Sequence, residues 1–156
     1  MDSFIGHLAP AFNLIATDRK LVSLSSLRGE KVVLLFFPAA FSSTCDSEMC
    51  YLRDNFAEYK KLDAKIFGIS TDTFWTLAKY KEDQKIPFEL LSDFNKIASR
   101  AYNSLYEEFI LGMLGVTKRS SFVLDRQGVI RHQEILESAN ILPNFEEIRR
   151  TLQEMA

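Results

Sequence analysis

The run KVVLLFF, residues 31 to 37, is apolar at every position after its lysine and stops at Pro38. A strand with one wet face alternates apolar and polar residues, so a run without alternation is a strand covered on both faces. AKIFGIS (64–70) is a second run of the same kind, and FELLSD (88–93) reads as a third strand. Between them the period changes. From about Thr44 to Leu62 the pattern is helical, with Cys45, Met49, Leu52 and Phe56 on one stripe. Thr73 to Gln84 reads as a second helix and Asn95 to Tyr102 as a short one. A short strand is expected at Ala11 to Ile15, then a polar turn and a short segment ending at Gly29. SSFVLD (120–125) and VIRHQEI (129–135) form a hairpin around RQG. In the tail, Phe145, Ile148, Leu152 and Met155 share a helical face, with Pro143 near its start. Strands alternating with helices predict an α/β domain, a central sheet flanked by helices on both faces. With 156 residues and no repeat, low-complexity tract or linker, a single domain spanning 1–156 is expected.

The formal net charge of −2 argues against nucleic acid and anionic membrane surfaces, which select clustered basic residues. The opening MDSFIGHLAPAFNL has neither the basic region nor the apolar core of a signal peptide, and Val32 to Phe37 is too short to span a bilayer. A cytoplasmic location is therefore expected. The chain holds two cysteines, Cys45 and Cys50. In that compartment such a pair is more often catalytic or redox-active than structural.

Ligands of open α/β sheets gather at the carboxyl ends of the strands. PAAFSSTC (38–45) lies there, at the end of the most buried strand. Ser43 is a candidate N-cap, with Asp46 completing a capping box, which sets Cys45 in the first helical turn. Free N–H groups and the positive end of the helix dipole favour a thiolate there, and a lowered thiol pKa is expected. Asp46 and Glu48 oppose it, and no local cation lies closer than Arg53, so the cation must come from elsewhere in the chain. Cys45 reads equally well as a small buried residue, given its alignment with Met49, Leu52 and Phe56.

Cys50 is not part of a C-x-x-C dithiol, and without a second pair it makes a poor zinc site. Five residues of continuous helix give about 7.5 Å of rise and about 140° of rotation. The two Cα atoms then stand about 8–9 Å apart, beyond bridging distance. If both cysteines are functional, the helix must open locally; the other reading of Cys50 is a buried small residue.

PAAFSSTC resembles the Pro-x-x-x-Thr/Ser-x-x-Cys signature of the peroxiredoxins (the AhpC/TSA family), with Pro38, Ser42 and Cys45 in register. The likeness extends through GHLAPAFNL, YLRDNFAEYKKLDAKIFGIST and GVTKRSSFVLDRQGVIR, the last carrying Arg119 where the family has its active-site arginine. The subfamily it most resembles is the peroxiredoxin Q, or bacterioferritin comigratory, type. Many of its members have a second cysteine five residues after the first. GMLGVTKRSSFVLD is also similar to the alkyl hydroperoxide reductase E type, which often works with one cysteine.

The resemblance implies a thioredoxin-like fold and a thiol-dependent peroxidase acting on hydrogen peroxide and organic hydroperoxides. Cys45 would be the peroxidatic cysteine, oxidised to a sulfenic acid. Arg119 would stabilise the thiolate and hold the peroxide. Ser42 would hydrogen-bond the peroxide, Pro38 would shield the pocket, and Glu48 would orient the arginine. Cys50 would resolve the sulfenic acid as an intramolecular disulfide, which a thioredoxin or glutaredoxin-like dithiol would reduce. Serine at 42, where threonine is commoner, keeps the hydroxyl and loses a methyl. No cysteine follows Cys50, so a resolving cysteine in a C-terminal arm is not expected. The alternatives are a 1-Cys peroxidase with a structural Cys50, and a redox sensor using the apolar FILGMLGV (109–116) as a partner surface. That stretch is expected instead to be buried or to form a dimer contact. Monomer and homodimer both fit the subfamily. No haem, flavin, metal or nucleotide motif appears; His7 and His132 are isolated, and the aromatic residues, Trp75 included, are expected in core elements.

Overall fold

The computed structural model describes residues 3–155. Its strands are β1 (Asn13–Ala16), β2 (Leu21–Ser23), β3 (Lys31–Phe36), β4 (Ala64–Ser70), β5 (Glu89–Ser92), β6 (Ser120–Leu124) and β7 (Ile130–Ile135). They form one sheet in the order β2-β1-β5-β4-β3-β6-β7. The helices are α1 (Ser43–Asp54), α2 (Phe56–Lys61), α3 (Phe74–Gln84), α4 (Ile97–Ala101) and α5 (Phe145–Glu154). β3, β4 and β5 are parallel, because helices return the chain between them. β6 pairs antiparallel with β3, and β1 with β5, so the sheet is mixed.

Every residue of β3 is buried, and its side chains divide between two cores. Val33, Leu35 and the following Phe37 pack with Met49 and Leu52 of α1, Leu77 and Tyr80 of α3, and Ile148 and Leu152 of α5. Val32, Leu34 and Phe36 pack on the opposite face with Ala98 of α4, Tyr102 and Phe122. The helices thus cover both faces, as the unalternating run requires. Gly68 of β4 makes room for this: a Cβ there would lie 2.6 Å from Leu90 Cδ2 and 3.2 Å from Phe37 Cε1. Lys31, 7% exposed, donates to the carbonyls of Leu62 (3.3 Å) and Leu152 (3.2 Å), which close the ends of α2 and α5.

Some elements differ from expectation. The helix expected over 44–62 breaks at Asn55, whose Nδ2 donates to the Tyr51 carbonyl at 2.8 Å, the acceptor its own N–H also uses. An asparagine side chain competing for the backbone in this way ends a helix turn. β1 begins at Asn13 rather than Ala11, and β2 is too short to have shown a period. The tail helix is capped by Asn144, whose side chain accepts from the Glu147 N–H, and Met155 lies just beyond it.

FILGMLGV is not buried: Ile110, Leu111, Met113 and Leu114 are all exposed, Leu111 by 95%. Gly112 and Gly115, both at positive φ, turn this stretch as a surface loop. Trp75 is likewise outside the core, exposed in the first turn of α3 and packed on Phe74. Among the described residues no helix is long and apolar enough to cross a membrane.

Candidate active site

β3 delivers the chain to Pro38, which is buried, and α1 starts five residues later. Ser42, not Ser43, occupies the N-cap position with an extended backbone (ψ 149°). Its hydroxyl makes no cap bond and donates to the Ala39 carbonyl at 2.9 Å. The capping box expected from Ser43 and Asp46 therefore does not form. Ser43 is the first helical residue, and the Asp46 carboxyl lies beside the Tyr80 hydroxyl. Phe41 sits at φ 70°, a costly conformation for a bulky side chain, with its ring on the edge of Tyr80. The Ala40 N–H donates to Asp72 Oδ2 (2.8 Å), which also accepts from the Ser70 hydroxyl (2.7 Å). The loop is thereby fastened to the end of β4.

Cys45 lies in the first turn of α1 with no exposed surface. The missing cation arrives from β6. Ser120 pairs with Phe36 at the end of β3, so the preceding Arg119 projects beside Phe37 and the loop. Arg119 Nη2 donates to Cys45 Sγ at 3.2 Å and Nη1 to Glu48 Oε1 at 2.5 Å. Nε and Nη2 also donate to the Ala139 carbonyl, at 3.3 and 2.9 Å. Arg119 is 1% exposed and Glu48 fully buried. Glu48 is on the same face of α1 as Cys45, one turn further on.

The electrostatics depart from the sequence expectation. Burial pushes the Cys45 thiol above its ordinary pKa. Arg119, the Ser42 hydroxyl and the Ala39 backbone pull it down without reversing the shift, and Glu48 adds to the rise. The expected lowering fails because the same packing that brings Arg119 to the sulfur removes water from it. Burial likewise pushes Glu48 up to about 7, against Arg119. One guanidinium thus faces two buried acids, and their protons titrate as a coupled set.

Cys50 is half-buried and separate from Cys45; both thiols are free. Its thiol donates to Gln84 Oε1 of α3 at 3.4 Å. The structure therefore brings Cys45, Glu48 and Arg119 together, sets Ser42 and Pro38 in the adjoining loop, and leaves Cys50 apart. Asp72, Ala139, Tyr80 and Gln84 did not stand out in the sequence. A backbone carbonyl has no signature, and Asp72 resembles any polar turn residue after a strand.

The AhpC/TSA family profile matches residues 5–133. The chain belongs to the AhpC/TSA family. It is 36% identical over 126 residues to the chloroplastic peroxiredoxin Q of Suaeda salsa, covering 81% of this chain and 57% of that one. It is 34% identical over 129 residues to peroxiredoxin Bcp of Escherichia coli strain K12, covering 81% and 82%. The chain thus spans little more than half the length of the plant relatives it matches. Among solved structures, peroxidoxin BcpB of Mycobacterium tuberculosis superposes with a TM-score of 0.85 at 28% identity, over 97% of both chains. The AhpC/TSA fold is thioredoxin-like, and the resemblance to the peroxiredoxin Q and Bcp type holds.

Proposed function

We propose that this AhpC/TSA protein is a thiol peroxidase, acting on hydrogen peroxide and organic hydroperoxides, with Cys45 as its peroxidatic cysteine. The observation that carries this is the buried Arg119 guanidinium 3.2 Å from Cys45 Sγ at a strand end. The Cys45 thiolate attacks one peroxide oxygen, the O–O bond breaks, and the departing oxygen leaves as water or an alcohol after taking a proton. Sulfur loses two electrons and becomes the sulfenic acid. Arg119 stabilises the thiolate and the oxygen charge that develops as the bond breaks. Glu48 orients Arg119 through Nη1 and takes up a proton when the thiolate forms. Ser42 rotates its hydroxyl from the Ala39 carbonyl to the reacting oxygen, and Pro38 walls the site off from water. Because Cys45 has no exposed surface, a peroxide enters by displacing the side chains of the 38–45 loop.

Cys50 resolves the sulfenic acid as a Cys45–Cys50 disulfide after the first turns of α1 open. A thioredoxin or glutaredoxin-like dithiol then reduces it. The second reading is a 1-Cys peroxidase, favoured by the hydrogen bond that keeps Cys50 on α3. Intact mass and free thiols after one equivalent of hydrogen peroxide separate the two. Loss of two hydrogens and both thiols supports the disulfide. Gain of one oxygen with one thiol remaining supports the 1-Cys reading, and no change removes the peroxidase reading for that substrate.

A further inference from the structure

α3 meets α1 through Leu77, Tyr80 and Gln84, spaced i, i+3 and i+7 on one helical face. Tyr80 is fully buried against Phe41, with its hydroxyl beside the Asp46 carboxyl and close enough to Cys45 and Cys50 to feel their charges. Gln84, the last residue of α3, makes two bonds to α1. Its side-chain Oε1 accepts the Cys50 thiol at 3.4 Å, and its backbone carbonyl accepts Arg53 Nη1 at 2.7 Å. Arg53 is three residues beyond Cys50 and feels its charge. None of these contacts takes part in the oxidation of Cys45.

We propose that Gln84 is a positioning residue for disulfide formation, holding the Cys50 thiol on α3, so that its release is part of the motion that carries Cys50 to oxidised Cys45. The inference rests on the resolving role proposed for Cys50. In that step the Cys50 thiolate attacks the sulfur of the Cys45 sulfenic acid. The S–S bond forms, the S–O bond breaks, and the departing hydroxide takes a proton to become water. The peroxide has already removed the two electrons, so no further oxidant is needed.

The Cys50–Gln84 bond must be lost before attack for two reasons. The hydrogen that Gln84 accepts is the proton Cys50 has to give up, and a thiolate would face the Oε1 lone pairs unfavourably. The sulfur must also leave α3, because five residues of intact helix keep it from Cys45. The Arg53 bond behaves differently. It uses a backbone acceptor, and Arg53 lies on the C-terminal side of the turns that open. It anchors the remainder of α1 to α3 while Cys50 moves.

The test replaces the Gln84 side chain and leaves its carbonyl. Wild type, Gln84→Ala and Gln84→Glu are mixed with one equivalent of hydrogen peroxide, quenched with acid at intervals, alkylated and weighed intact. Sulfenic acid formation and disulfide formation are thereby timed separately. Gln84→Ala is expected to leave the first phase unchanged and speed the second by about three-fold, the scale of one modest hydrogen bond. At excess peroxide it should accumulate less sulfinic acid. Gln84→Glu places a carboxylate among Arg53, Tyr80 and Cys50, slows the second phase and moves its pH profile upward. Opposite effects at one position support a specific hold on the thiol. Equal rates in all three proteins, or a change of the same sign in both variants, overturns it. If wild type gives stable sulfenic acid and no disulfide, the resolving role of Cys50 itself falls, and this inference with it.

Discussion

Replacing Glu48 by Gln should lower the pH at which Cys45 becomes reactive. Arg119 carries one charge, contacted by Glu48 Oε1 at 2.5 Å and Cys45 Sγ at 3.2 Å. Glutamine keeps an oxygen that accepts from Nη1 and removes the competing negative charge. Side chains three residues apart on a helix stand about 6 Å apart, and at an effective dielectric constant near 20 a full carboxylate acts on a thiolate there by about 3 kcal/mol. Glu48 titrates at about 7 and so is only partly ionised at neutral pH. The expected fall is therefore about one pH unit, smaller than the full-charge figure. The assay is the rate of iodoacetamide alkylation against pH, in a Cys50→Ser background so that only Cys45 reports. A midpoint that stays in place or rises in Glu48→Gln refutes the competition argument, because a carboxylate acting only to aim the guanidinium would leave the thiol less activated when weakened. The same shift has a stability consequence. The folded state binds the Glu48 proton more tightly than the unfolded chain, whose ordinary carboxyl value is 4.5. The contribution is fully present below about pH 4.5 and is lost as pH rises through about 7. Glu48→Gln should flatten urea-derived stability across that window.

Asp72→Ala removes the acceptor of the Ala40 N–H and frees the 38–45 loop from β4. It should lower the rate of Cys45 oxidation by about ten-fold while leaving far-ultraviolet circular dichroism unchanged, as expected for lost positioning; an unchanged rate means the loop needs no such fastening. Gly68→Ala drives a methyl to 2.6 Å from Leu90 Cδ2 and against Phe37. It should cost about 1–3 kcal/mol in urea denaturation, the usual range for overpacking, and a neutral result would mean Leu90 can change rotamer within the core.

The sheet and its cover were legible because β3 and β4 combine unbroken apolar runs with strand terminators. α1 was legible because Cys45, Met49 and Leu52 repeat at helical spacing. Asn55 hid the break after α1, since its effect comes from a side-chain bond to a carbonyl four residues back. Of the two expectations for 109–116, burial fails because its glycines set a surface turn that no core reaches, whereas a dimer contact needs the exposure that the loop has. In the site, the need for a distant cation was visible in the local surplus of Asp46 and Glu48. Its arrival as Arg119 depends on the register of β6 against β3, which no local pattern encodes. The direction of the Cys45 pKa was misread for a related reason. Helix position and charge are sequence-local, whereas zero exposure is a property of the closed core.

Two demands meet in residues 38 to 50. Placing Arg119 on the Cys45 sulfur needs a closed turn, even though the burial that comes with it raises the thiol pKa, whereas the proposed joining to Cys50 requires that turn to open. The segment carries features suited to both. Arg119 and the Asp72 bond hold it shut. Against them stand the positive φ of Phe41, an N-cap whose hydroxyl does not cap, and the buried Glu48 Oε2 without a hydrogen bond among the described residues. An unmet buried polar group costs about 1–3 kcal/mol relative to a hydrated one. In the proposed reaction, oxidation consumes the thiolate that Arg119 stabilises, so the closing contact weakens while the opposing costs remain. On the proposed 2-Cys reading, the first chemical step therefore favours the conformational change that disulfide formation needs.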